Sequence, residues 1–271
     1  MNDEQFRQLL DYFGYSWQGY RKVRKGVIKR LHRHMQQLDI HDAADYIARI
    51  QSVPEIRREV RRLMTVSISR FFRDPPLWEC IKRKLIPDIL SRHPALVKVW
   101  FAGCALGQEA YSMKMLWLLL QEESGPLPPL SLTATDINQE YLDMAIAGVY
   151  SNHITREVPR NYLEKFFRCH HGEYFIKEEV KQNISWQLHD LIDTSPVNGP
   201  FHMIFLRNNL LTYYKREFQE DPIHRFTEAL ITGGYLIIGA REELFVTLDK
   251  IARVDDYPGI FQKQPPHEMC E

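Results

Sequence analysis

Cysteine is scarce in this chain, with four among 271 residues, and no two of them form a CxxC pair. This spacing predicts reduced, structural thiols and excludes a disulfide framework. Neighbouring Cys169, His170 and His171 do not alter the prediction, because adjacent side chains of a strand or helix point in different directions. No metal site is therefore expected.

Long apolar stretches are also missing. The chain has no run of about 18 apolar residues that would cross a bilayer. Its start, MNDEQFRQLL, has no basic segment followed by an apolar one, as a secretory signal would. These absences predict a cytoplasmic protein without membrane insertion, and we expect a monomer.

The chain has no net charge, but its charges are unevenly distributed. Residues 1–92 carry 19 Lys and Arg against 11 Asp and Glu, and residues 93–271 carry 16 against 24. One segment holds seven cations among apolar residues that recur every four positions. The cations are Arg21, Lys22, Arg24, Lys25, Lys29, Arg30 and Arg33. The pattern predicts an amphipathic helix whose cationic face is either simply solvated or docks an acidic partner. The acidic remainder would repel phosphate, which disfavours nucleic acid.

Hydrophobic periodicity predicts an all-α head. Proline positions that suit first helical turns support the helix starts at 54 and 74. The predicted helices cover about 3–13, 17–37, 41–50, 54–65 and 74–91. We therefore expect an N-terminal helical domain at 1–65 and a linker with a connecting helix at 66–92.

From Val97 onward, short apolar runs alternate with helical patterns. Predicted strands lie at 97–102, 130–135, 184–188, 202–206 and 234–239, and predicted helices at 108–122, 138–147 and 215–230. This alternation predicts an α/β domain at 93–271 with a mostly parallel, Rossmann-like sheet and helices on both faces. The stretch 168–188 is also compatible with a small antiparallel β-subdomain.

Two strand ends carry the residues that suggest a ligand. The segment VKVWFAGCALGQEAYS at 97–112 runs from a strand through a small-residue turn into a helix. Its glycines, Gly103 and Gly107, are spaced GxxxG, which differs from the GxGxxG of dinucleotide binders and also suits simple packing. Asp136 follows the strand LSLTAT at 130–135, where an acid can accept both hydroxyls of a ribose. The pair of strand ends therefore predicts a nucleoside-containing ligand.

Five segments, taken in order, resemble the chemotaxis-receptor methyltransferases of the CheR type. They are VSISRFFRDP at 66–75, FAGCALGQEAYS at 101–112, TATDINQEYLDMAIAGVYS at 133–151, FHMIFLRNNLLTYY at 201–214 and FTEALITGGYLIIGARE at 226–242. The resemblance extends from the helical head to about residue 245. It implies transfer of a methyl group from S-adenosylmethionine to glutamate side chains of an acidic protein, the cytoplasmic domain of a methyl-accepting chemotaxis receptor. The product of the donor would be S-adenosylhomocysteine.

The resemblance also implies which residues contact the cofactor. By position they are Ser67, Ser69, Arg73, Gly103, Gln108, Asp136, Ile137, Asp190, Leu191, Arg207 and Asn208. Asp136 would accept from the ribose, and Ile137 and Leu191 would flank the adenine. Arg73 is also expected to orient the acceptor carboxylate, because its planar guanidinium can bind a carboxylate through two hydrogen bonds.

The chain departs from the family pattern at several positions. Gln108 replaces the first acid of GEEPYS, and Ser67 stands where asparagine is typical. Thr212 occupies the place of an active-site tyrosine, so Tyr213, one position later, is the candidate for that catalytic role. The segment usually read as GHSE is GARE at 239–242.

These departures leave three hypotheses open. The first is a protein-glutamate O-methyltransferase, and the second is a methyltransferase of the same fold that acts on another acceptor. The third is a catalytically inactive protein that binds S-adenosylmethionine or docks a partner through its cationic head.

Overall fold

A computed structural model describes residues 1–67, 69–155, 158–192, 197–245, 250–254 and 257–265. The chain divides into two compact units, which we call the helical unit and the α/β unit. The helical unit comprises Met1–Ser67 with Asn208–Glu220, and the α/β unit comprises Ile68–Arg207 with Asp221–Glu271. Within the described ranges, no helix combines the length and the apolar character that a membrane span requires.

The described chain contains α-helices in both units. They are α1 (Asp3–Tyr12), α2 (Trp17–Tyr20), α3 (Arg24–Gln37), α4 (Ala43–Ser52), α5 (Pro54–Leu63), α6 (Pro75–Cys80), α7 (Ile86–Leu90), α8 (Gln108–Ser124), α9 (Gln139–Ala147), α10 (Asn152–Thr155), α11 (Arg160–Phe166), α12 (Glu178–Lys181), α13 (Leu210–Tyr213) and α14 (Glu220–Glu228).

The strands of the described ranges all lie in the α/β unit. They are β1 (Val97–Ala102), β2 (Leu130–Asp136), β3 (Val149–Ser151), β4 (Phe167–His170), β5 (Glu173–Ile176), β6 (Ile184–Leu188), β7 (Phe201–Leu206), β8 (Leu230–Ile238), β9 (Ile251–Arg253) and β10 (Ile260–Lys263).

The amphipathic pattern predicted for the basic segment is present in α3, whose buried side chains Val27, Leu31 and Met35 recur every four residues. The single helix predicted over 17–37 is wrong, because the chain is interrupted between α2 and α3. There it tightens into an i to i+3 turn, in which Val23 N donates to Tyr20 O at 3.0 Å. Apolar side chains of α1, α3, α4 and α5 form one buried core in this unit.

The helix predicted over 74–91 is present but irregular. Residues Ile81–Leu85 form a π-helical turn between α6 and α7. Ile86 N donates to Ile81 O, five residues back, which is the hydrogen bond of a π-bulge. Pro87 follows directly and, because proline has no N–H, makes no i to i−4 hydrogen bond of its own.

The main sheet has seven strands in the order β6-β2-β1-β7-β8-β10-β9. The first five are parallel to one another. Strand β10 pairs antiparallel with β8, and β9 pairs antiparallel with β10. Because the chain places β2 on one side of β1 and β7 on the other, the carboxyl ends of these strands are where a ligand crevice is expected. The predicted Rossmann-like α/β fold with a helical N-terminal part is confirmed.

A separate antiparallel sheet has the order β3-β5-β4, so the small β-subdomain suggested for 168–188 exists. Its hairpin is β4 and β5, while β6 belongs to the main sheet. The helix predicted over 215–230 is wrong in extent. A 3₁₀ turn occupies Arg216–Phe218, α14 ends at Glu228, and β8 already begins at Leu230.

Candidate functional site

The turn after β1 is folded onto the end of β2. Gly103 N and Cys104 N both donate to Thr135 O at 2.8 Å. Gly107 caps α8 with φ of 80°, and a Cβ added there would lie 2.6 Å from the Trp186 ring. Glycine is strongly favoured at this turn, because the positive φ and the close ring both disfavour a side chain.

Asp136, the last residue of β2, is held by backbone donors. Ala105 N donates to Oδ2 at 2.8 Å and Asn138 N donates to Oδ1 at 2.9 Å. Burial raises the pKa of Asp136 above its ordinary value of 3.8, although the backbone donors of Asn138, Ala105 and Ile137 lower it. Each carboxylate oxygen can accept a further hydrogen bond, so Asp136 is fixed in place and still able to bind hydroxyl groups.

Gln108, in the first turn of α8, is fully buried. Among the described residues, neither its Oε1 nor its Nε2 has a hydrogen-bond partner. Buried polar groups are nearly always paired, and an unpaired one costs about 1–3 kcal/mol. A ligand that carries both a donor and an acceptor, such as the amino-acid end of a sulfonium cofactor, would satisfy this amide.

Arg207 follows β7 and pairs with two carboxylates. Its Nη1 donates to Glu109 and its Nη2 to Asp74, and its side chain is only 1% exposed. Burial raises the pKa of Glu109, and the charge of Arg207 opposes that rise. The guanidinium thus fixes the first turn of α8 to the segment that precedes α6.

Arg73 lies between two residues with left-handed backbone, Phe72 with φ of 49° and Asp74 with φ of 60°. Such conformations are uncommon outside glycine and persist where surrounding contacts impose them. Two contacts flank Arg73: Trp78 Nε1 donates to Arg73 O at 2.9 Å, and Phe72 N donates to Ser112 Oγ at 2.9 Å. Arg73 also lines a cavity of about 500 Å³ in the α/β unit.

Three more predicted residues, Ile137, Asp190 and Leu191, follow strand ends. Asp190 and Leu191 are half-buried just after β6, where Asp190 Oδ1 accepts from Ile192 N at 3.1 Å. Ile137 follows Asp136 and is half-buried. The chain therefore carries Gly103, Gln108, Asp136, Ile137, Asp190, Leu191 and Arg207 at or just beyond the carboxyl ends of four neighbouring parallel strands.

Three other predicted residues are described in the helical unit. They are Ser67, Asn208 and Tyr213. The ring of Tyr213 packs edge-on against Tyr20, with 5.0 Å between ring centroids. Ser69 precedes Arg73 and is half-buried in the α/β unit.

Sequence reasoning missed the partners of Arg207. Glu109 and Asp74 lie far from it along the chain, so no local spacing signals the contact. An acid in the first helical turn is also commonplace, because it favours the helix dipole without any tertiary partner.

Comparisons with known proteins identify the family of this chain. The SAM-binding domain of the CheR methyltransferases matches residues 67–257. A chemotaxis protein methyltransferase of Vibrio parahaemolyticus is 34% identical over 212 residues, which cover 77% of this chain and 76% of that protein. The chemotaxis protein methyltransferase Cher2 of Pseudomonas putida is 30% identical over 243 residues, covering 86% of this chain and 87% of that protein.

A third relative is much longer. An uncharacterized 104.1 kDa protein of Rhodobacter capsulatus is 31% identical over 242 residues. The match covers 89% of this chain but only 25% of that protein, so the chain spans about a quarter of its length. On the match to residues 67–257 and on the two chemotaxis relatives, this chain belongs to the CheR methyltransferase family, whose cofactor is S-adenosylmethionine.

Proposed function

We propose that this protein transfers a methyl group to glutamate carboxylates of an acidic protein, a chemotaxis receptor in its cytoplasmic part. Two relatives named as chemotaxis protein methyltransferases support the reaction class. The observation that carries the proposal is the setting of Arg73, a guanidinium on a cavity wall that can pair with a carboxylate.

The donor side uses residues at the strand ends. When bound, S-adenosylmethionine supplies a methyl group on a positively charged sulfur. We assign the ribose hydroxyls to Asp136 and the faces of the adenine to Ile137 and Leu191. The amide of Gln108 would bind the amino-acid end. Further donor contacts are assigned to Ser67, Ser69, Gly103, Asp190, Arg207 and Asn208.

The acceptor needs no general base. A glutamate side chain has an ordinary pKa of about 4.3 and is already ionised at neutral pH. Catalysis then rests on holding the attacking oxygen in line with the methyl group, which supplies up to about 7–11 kcal/mol in favourable cases. Arg73 would orient the carboxylate, and Tyr213 remains our candidate for a second contact. A grip on the ground-state anion that is too strong would slow the reaction, because the negative charge is lost in the transition state.

The cationic face of α3 supports an acidic partner. Lys25, Lys29 and Arg33 are exposed and recur every four residues, so they share one side of the helix. Two other cations of the cluster have structural contacts. Arg24 pairs with Asp3 at 3.0 Å. Arg30 donates to two main-chain carbonyls at the C-terminal end of α5, with Nε 2.8 Å from Leu63 O and Nη2 2.6 Å from Thr65 O.

The experiment uses the full chain, radiolabelled S-adenosylmethionine and a receptor cytoplasmic fragment with glutamates at its methylation positions. We expect base-labile methyl esters on the fragment. Lys25→Glu with Lys29→Glu should raise the KM for the fragment about tenfold through lost electrostatic attraction. The matched control is Arg83→Glu with Arg160→Glu, which reverses two exposed charges of the α/β unit and should leave KM unchanged.

Three outcomes would redirect the proposal. Binding of S-adenosylhomocysteine without ester formation on glutamate would favour another acceptor, an alternative that Gln108 and Thr212 motivate. Absence of binding would favour a docking protein that keeps only the fold. Equal KM values for the two double variants would remove the cationic face from acceptor recognition.

A further inference from the structure

The segment that follows Arg207 is built into the helical unit. Residues Asn208–Glu220 cluster with Met1–Ser67, although they come directly after a strand of the main sheet. Because ligands of such sheets bind beyond the carboxyl ends of the strands, this segment continues the chain from the candidate site. We therefore expect the conformation of this segment to affect the candidate site as well as the packing of the helical unit.

Residues 14–20 hold this segment through its main chain. Ser16 N donates to Tyr213 O at 2.7 Å, and Lys215 N donates to Gly14 O at 2.9 Å. Tyr15 and Tyr214 form an antiparallel β-bridge. Main-chain bonds of this kind fix the position of the segment rather than only its side chains.

Gly19 makes the closest approach. A Cβ added at Gly19 would lie 2.1 Å from Thr212 O and 3.2 Å from Tyr213 Cα. No Cβ atom is found so near a carbonyl oxygen, and a backbone atom cannot rotate away as a side chain would. The backbone of α2 and that of α13 are therefore packed against each other at a point where only glycine fits.

Aromatic rings pack on both sides of the contact between Gly19 and Thr212. Tyr15 packs on Tyr214 with centroids 4.7 Å apart, and Tyr20 packs on Tyr213 at 5.0 Å. Tyr20 is almost fully buried, and its hydroxyl donates to Met64 O at 3.0 Å. The segment after Arg207 thus packs on buried residues of the helical core.

We propose that Gly19 is a positioning residue for methyl transfer: by admitting Thr212 and Tyr213 against α2, it fixes the segment that leaves β7 through Arg207 and Asn208. The effect on transfer rests on the proposed function above. Gly19 acts only through the main chain of this segment and touches no reacting atom. Misplacement of reacting groups by about 1 Å can cost roughly 100-fold in rate, so the contact has a measurable consequence.

The test compares Gly19→Ala with Gly26→Ala in the full chain. Both glycines lie in the N-terminal helices, but among the described residues a Cβ at Gly26 meets nothing within 4 Å. Hydrogen exchange of the amides of residues 210–215, affinity for S-adenosylhomocysteine, and kcat for the acceptor are measured for each.

We expect Gly19→Ala to accelerate amide exchange in 210–215 about tenfold, as for a local opening, and to lower kcat by about 100-fold. The affinity for S-adenosylhomocysteine should fall by a much smaller factor than kcat, because Asp136 and Gln108 are untouched and only Asn208, at the start of the segment, is assigned to the donor. A structural role alone would lower the melting temperature without this split between kcat and donor affinity. Gly26→Ala should match the unmodified protein in all three measurements.

A second variant covers the case in which Gly19→Ala does not fold. Ser16→Pro removes the N–H that bonds Tyr213 O, at a residue whose φ of −86° is close to that of proline. It should accelerate exchange in 210–215 and lower kcat in the same direction. Unchanged exchange in the folded variants, or unchanged kcat despite faster exchange, would overturn the proposal. If the unmodified protein methylates no acceptor, the proposed function fails, and the exchange measurement alone decides whether Gly19 sets the segment.

Discussion

Arg207 and Glu109 form a charged hydrogen bond between the residue after β7 and the first turn of α8. The guanidinium is almost completely buried, whereas the side chain of Asp74, its second partner, is 38% exposed. Glu109 is the less exposed of the two carboxylates, at 18%, so its ion pair with Arg207 is less screened by solvent and its loss should be more costly than the loss of Asp74.

This difference predicts unequal effects of two substitutions. Glu109→Ala should lower the free energy of unfolding by about 3 kcal/mol, and Asp74→Ala by about 1 kcal/mol or less. Glu109→Gln, which keeps an acceptor oxygen, should lie between them. Urea unfolding at fixed pH measures all three, and equal losses for the two alanine variants would contradict the ranking.

Asp136→Asn should weaken binding of S-adenosylhomocysteine by about 10- to 100-fold, because hydrogen bonds to a charged group contribute about 1.5–3 kcal/mol. The control is Asp143→Asn, an exposed residue of α9 whose carboxylate accepts from Gln139. Calorimetric titration distinguishes them, and similar affinities for both variants would exclude Asp136 from the donor site.

The raised pKa of Asp136 predicts a pH dependence of stability. The carboxyl of Asp136 binds its proton more tightly in the folded protein than in the unfolded chain, so the protonated form stabilises the folded state. This contribution to the free energy of unfolding is fully present below pH 3.8 and is lost as pH rises through the folded pKa. Relative to Asp136→Asn, the unmodified protein should lose unfolding free energy between pH 3.8 and that higher pKa. Urea titrations at several pH values measure the difference, and a constant difference would contradict the shift.

A comparison of Gly107→Ala with Gly172→Ala separates the cost of the backbone conformation from the cost of steric overlap. Both glycines have φ of 80°, but a Cβ at Gly107 meets Trp186, whereas at Gly172 nothing described lies within 4 Å. Gly172→Ala should cost about 1 kcal/mol for the backbone alone. Gly107→Ala should cost about 1–3 kcal/mol more for overpacking. Thermal and urea unfolding give both values, and equal costs would show that the Trp186 ring yields freely.

Gln108→Glu restores the acid that the resemblance expects at this position. A fully buried carboxylate without a partner should lower the stability of the ligand-free protein by about 1–3 kcal/mol. If this side chain faces the ammonium of the donor, affinity for S-adenosylhomocysteine should rise about tenfold at pH 8. The gain should shrink as pH falls, because burial raises the pKa of the new carboxyl. Lower stability without any change in affinity would remove Gln108 from the donor site.

Much of the α/β unit was predictable from sequence. Strands β1, β2, β6 and β7 were expected within a residue or so of their bounds, because buried parallel strands appear as short apolar runs between polar turns. The position of Asp136 at the end of β2 was predictable for the same reason, since a carboxylate directly after such a run lies at the carboxyl edge of the sheet.

The remaining features depend on contacts between distant segments. The partners of Arg207 are side chains from two other elements, and the interruption between α2 and α3 is a local tightening that helix periodicity does not register. Nothing in the alternation of strands and helices indicates that residues 208–220 cluster with the N-terminal helices. Gly19 likewise looks like an ordinary weak point in a helix until Thr212 O is placed beside it.

The helical unit is discontinuous along the chain, since residues 68–207 lie between its two parts. During synthesis the N-terminal helices leave the ribosome before the segment that completes their packing. The packing of the helical unit therefore cannot be completed until β1 through β7 have been made. Recombination between relatives meets the same constraint. If residues 1–67 alone were exchanged, they would pack against residues 208–220 of a different relative. The two parts of the helical unit therefore have to be exchanged together.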